Sequence, residues 1–91
     1  MPSYLVETYL ARGDATERVA REGRARSAAE ARTREGTRVR FEQAIHVPED
    51  EICFFVFDAP SSAEAAIAAE LAALDPLRVV EAVSSGEEYR S

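Results

Sequence analysis

Polar residues interleave with tyrosine, valine and leucine from Ser3 to Leu10, and Gly13 and Asp14 end the run, which predicts a first strand. Asp14 with Glu17 three residues later is a capping-box pattern. It opens an alanine- and arginine-rich helix that runs to Glu35 and stops at Gly36. The apolar stripe of this helix is thin, because Ala15, Val19, Ala25, Ala28 and Ala29 are small, and Gly23 weakens its middle. From Thr37 to Val47 the pattern alternates: Val39, Phe41, Ile45 and Val47 fall on one face, and Arg38, Arg40, Glu42, Ala44 and His46 on the other. Pro48, Glu49 and Asp50 form a polar turn into the most apolar run of the chain, Glu51 to Asp58. Ala59-Pro60 breaks that strand. Ser61 with Glu64 repeats the capping box, and Ala63, Ala66, Ile67, Leu71 and Leu74 recur at helical spacing before Asp75-Pro76. Leu77 to Val83 reads as a fourth strand, and the polar segment after it as a tail.

The order strand, helix, strand, strand, helix, strand predicts an α+β, ferredoxin-like βαββαβ sandwich, a four-stranded antiparallel sheet with both helices on one face. Residues 1–84 form its single domain and residues 85–91 a flexible tail in this reading. The third strand then poses a problem, since Ile52, Phe54 and Val56 point one way while Cys53, Phe55 and Phe57 point the other. One helix layer covers one set, and the other set left in water exceeds what monomers usually expose. Sheet-to-sheet homodimerisation is the expected remedy.

Charge narrows the partners. The formal net charge is -6, from 17 acidic and 11 basic residues, which argues against a phosphate backbone. All 11 basic residues are arginine, and those of the first helix read as a solvated face. No run approaches the length of a membrane span and no signal-like tandem opens the chain, so neither membrane nor secretion is expected. Cys53 is the single cysteine, which fits a reducing, cytoplasmic compartment. None of the four glycines belongs to a phosphate-cradling or dinucleotide pattern.

The candidate chemistry rests on the sheet face that the helices leave open. If Val39, Phe41, Ile45 and Val47 face the helices, Arg40, Glu42 and His46 share the open face. Placing Cys53, Phe55, Phe57, Glu7 and Tyr9 there as well makes a mixed acidic, thiol and aromatic pocket. His46, Cys53 and Glu7 are the candidate metal ligands, one borderline, one soft and one hard. Tyr9, Arg40, Glu42, Phe55 and Phe57 are the candidate ligand pocket. No HxxH, CxxC or HExxH spacing is present.

The opening Met1-Pro2-Ser3-Tyr4-Leu5-Val6-Glu7, the segment Val47-Pro48-Glu49-Asp50-Glu51-Ile52-Cys53-Phe54, the junction Phe57-Asp58-Ala59-Pro60 and the ending Arg78-Val79-Val80-Glu81-Ala82-Val83 resemble a family of small bacterial proteins catalogued as domain of unknown function 4242. The resemblance implies a ferredoxin-like fold, a homodimer and, for its nickel-binding members, a site that includes histidine. The family's second-strand histidine falls near Glu42 or Gln43, whereas this chain carries His46. The leading expectation is thus a non-enzymatic homodimer that binds a metal ion, nickel being the one the resemblance implies, or a small ligand at the open sheet face. A small dimeric α+β barrel enzyme of monooxygenase or isomerase type, with Glu7 or His46 as acid/base, is the alternative from the enzyme class. An interaction module without ligand is the third.

Overall fold

The protein was analysed as a computed structural model, which describes residues 1–83; the expected tail, 85–91, lies outside them. Strand β1 spans Ser3–Tyr9, helix α1 Ala15–Arg34, β2 Arg40–Val47, β3 Ile52–Asp58, α2 Ser62–Leu71 and β4 Arg78–Ala82, with a single 3-10 turn, Pro48–Asp50, between β2 and β3. Both expected helix starts are present: the Asp14 carboxylate accepts the Glu17 N–H at 3.4 Å, and the Ser61 hydroxyl accepts that of Glu64 at 3.3 Å. Glycine ends α1 for a backbone reason, since Gly36 has φ +108°, a region that side chains disfavour.

The strands pair antiparallel in the order β2-β3-β1-β4. The result is an α+β molecule with one four-stranded sheet and two helices, an arrangement consistent with a ferredoxin-like fold. Its core lies between the sheet and the helices. Tyr4 and Val6 of β1, Phe41 of β2, and Cys53, Phe55 and Phe57 of β3 meet Ala25, Ala28 and Ala29 of α1 and Ala65, Ala68 and Ala69 of α2. Large side chains from the sheet thus oppose methyl groups from the helices, and the small helix residues let the two layers approach closely. The Phe41 ring lies 5.5 Å from that of Phe57 and 6.2 Å from that of Phe55, tilted in both pairs.

Two face assignments differ from the alternation read along the chain. In β2 the register passes from Phe41↔Phe57 to Gln43↔Val56, so Glu42 is an extra residue, a β-bulge. One inserted residue exchanges the faces beyond it: Ala44 and His46 lie on the helix side, and Ile45 and Val47 on the open side. In β3 the set under the helices is Cys53, Phe55 and Phe57, each 0% exposed, so Ile52, Phe54 and Val56 form the open set. On α2, Ile67 and Leu71 point to solvent and Leu71 is 57% exposed, because the close approach to the sheet selects the alanine stripe. Val19 of α1 is likewise exposed.

Candidate functional site

The pairing register builds the open face in rows across the sheet. At one end lie Arg40, Asp58, Ser3 and Ala82, followed by Gln43, Val56, Leu5 and Val80, then Ile45, Phe54, Glu7 and Arg78, and finally Val47, Ile52 and Tyr9. The middle is apolar and two opposite corners carry charge. A groove of about 390 Å³ runs over the first two rows to the edge of the third, walled by Leu5, Ile45 and Val56 and bounded by Ser3, Glu42 and Gln43.

Its charged corner is built around Asp58. The Ser3 hydroxyl donates to Asp58 Oδ1 at 2.7 Å, and the Arg40 guanidinium donates to Asp58 Oδ2 and to Glu42 Oε2, both at 3.0 Å. Burial by itself would raise the Asp58 pKa, but the hydrogen bonds from Ser3 and Arg40 and the positive charge of Arg40 outweigh it and hold the carboxyl below its ordinary range. The same two carboxylates raise the Arg40 pKa. Glu42, two positions along β2 from Arg40, and Asp58, its partner on β3, share one guanidinium. Diagonally opposite, Glu7 pairs with Arg78 at 2.7 Å across the β1–β4 ladder.

Of the expected open-face residues, Glu7, Tyr9, Arg40 and Glu42 are there, with Tyr9 at the far end from the groove. Phe55 and Phe57 belong to the core under the helices and line no open pocket. His46 and Cys53 stand opposite one another in register, also on the helix side. The three candidate metal ligands therefore do not form one donor set: Glu7 is separated from His46 and Cys53 by the sheet itself. Among the described residues, no group of three or more His, Cys, Asp or Glu side chains is placed to hold a metal ion. The Cys53 thiol pKa is raised, chiefly by burial, against the opposing pull of Arg21 and Arg18. His46 Nε2 is buried and has no hydrogen-bond partner among the described residues.

Asp58 and Ser3 were not among the candidates read from the chain. Both sit at strand ends, Ser3 next to Pro2 and Asp58 two residues before Pro60, and the pairing of Ser3 with Asp58, 55 positions away, is the signal that brings them together. No family model, no curated protein and no solved structure matches the chain.

Proposed function

We propose that this protein is a non-enzymatic homodimer whose two copies pack their open sheet faces, holding a small ligand in the groove between them. The observation that carries the reading is the uncovered apolar middle of the sheet: Leu5, Ile45, Val47, Ile52, Phe54, Val56 and Val80 on one surface. Four strands about 4.8 Å apart and about five residues long present a projected face of roughly 300–400 Å². Its apolar middle is part of that area, and the largest contiguous apolar patches of typical monomers, about 300–600 Å², are themselves often functional. The charged corners support self-pairing, because a two-fold axis can set the Glu7–Arg78 corner of one copy against the Arg40–Glu42–Asp58 corner of the other. Sedimentation equilibrium at micromolar concentration should return twice the 10.0 kDa chain mass. A monomer there would remove the proposal.

A second reading, metal binding at the helix-side pair of His46 and Cys53, is supported by their register and by the unpartnered Nε2. Nickel titrated calorimetrically into untagged protein tests it. Heat that disappears in both His46→Ala and Cys53→Ser supports the pair, whereas heat that survives either change, or none in the wild type, rejects it.

A further inference from the structure

Eight of the 11 arginines, but three of the 17 acidic residues, lie between residues 18 and 40. In a chain of net charge -6 this is a local excess of positive charge, and three of the eight arginines border one groove. The groove measures about 590 Å³ and runs between the second half of α1 and the start of β2, on the helix side of the sheet. Small-molecule sites usually occupy about 300–1,000 Å³. Ala29, Val39 and Phe41 give it an apolar floor, and Arg26 and Arg34 a cationic rim; Arg40 borders it at the sheet edge with its guanidinium already paired to Asp58 and Glu42, and Glu30 is the one carboxylate among its lining residues.

Two features make this more than a solvated helix face. The Arg26 guanidinium lies 5.5 Å from the centroid of Phe41, a cation–π contact that holds it over the floor. Thr33 clamps the strand to the helix end, its Oγ1 accepting the Val39 N–H at 3.1 Å and donating to the Val39 carbonyl at 2.9 Å. The walls are therefore tied together. Arg26 and Arg34, eight residues apart, project from the same side of α1. Neither forms an ion pair among the described residues, even though Glu30 is four positions from each.

We propose that this groove binds a small organic anion with an apolar body, the body resting on Phe41, Val39 and Ala29 and the acidic group meeting the arginine rim. Glu30 opposes the anion at the middle of the rim, so the acidic group goes to one end of it. An extended peptide added along the β2 edge fits less well, because the bulge at Glu42 breaks that edge. The site lies on the helix side, so its fate is separate from that of the open-face dimer.

The test is an NMR titration of the full ¹⁵N-labelled chain with 2-naphthoate and, as a neutral control, 2-naphthalenemethanol. Naphthoate should bind about tenfold more tightly than the alcohol, the difference expected from a charge-assisted hydrogen bond, and should shift Ala29, Val39 and Phe41. Arg26→Gln and Arg34→Gln should each weaken it, and Glu30→Gln should tighten it. Arg12→Gln, an equal charge change beside Glu49 and Glu51 at the opposite end of the sheet, should leave it unchanged. Equal affinity for the alcohol, shifts confined to Leu5, Ile45 and Val56, or no shifts at millimolar naphthoate would each overturn the proposal.

Discussion

Asp58 is the residue whose surroundings do most to set its chemistry. Its side chain is 10% exposed and its carboxylate accepts from Ser3 and Arg40. A carboxyl held below its ordinary pKa by folding stabilises the folded state above the unfolded value, about 3.9, and loses that contribution as the pH falls through the lower folded value. Asp58→Asn should therefore cost about 1.5–3 kcal/mol near neutral pH, the range for hydrogen bonds to charged groups. The gap between wild type and variant should close in urea melts below about pH 3.9. A gap that persists unchanged in acid would mean that Asp58 contributes by shape and not by charge. Thr8 is a contrasting buried polar group, since its hydroxyl donates to the Cys53 carbonyl at 2.8 Å and carries no titration with it.

At the scale of elements, the helices are selected by how close they must come to the sheet. Alanine at 65, 68 and 69 is fully buried, while Leu71, one of the largest side chains of α2, is exposed. Overpacking this stripe should be costly: Ala68→Leu should destabilise by about 1–3 kcal/mol. Leu71→Ala, in contrast, should change stability by no more than about 0.5 kcal/mol, as surface substitutions do. Chemical denaturation of both variants checks the pair, and the reverse ranking would contradict the helix orientation. The bulge in β2 works at the same scale. Glu42 turns the strand so that Phe41 and His46 both lie under the helices, although odd and even positions should oppose each other in a regular strand.

At the scale of the whole molecule, the sheet separates two surfaces with different chemistry. One is the open apolar face with its ion-paired corners, and the other is the arginine-bordered groove beside α1. No helix among the described residues is long and apolar enough to cross a membrane. A second copy is the occupant that the proposed function assigns to the apolar face. Phe54 and Phe55, adjacent in sequence and on opposite sides of the sheet, separate pairing from folding. Phe54→Asp should give a folded monomer by sedimentation and circular dichroism. Phe55→Asp should fail to fold, since an unpaired charge in the core costs several kcal/mol.

Element order, helix caps and strand locations were legible along the chain because they depend on neighbours within a few residues. Asp14 and Ser61 cap because their side chains reach an N–H three positions on, and Gly36 ends α1 because its own φ demands it. The two-sided apolar character of β3 was equally local, a matter of alternation in Ile52-Cys53-Phe54-Phe55-Val56-Phe57. Which side faces the helices was not, because both sets are apolar and the choice falls to whichever packs against the alanine stripes. The Glu42 bulge was hidden for a related reason: an inserted residue shows itself only against the partner strand. That single residue moved His46 to the face opposite Glu7, and the distant pairing of Ser3 with Asp58 built the charged corner in its place.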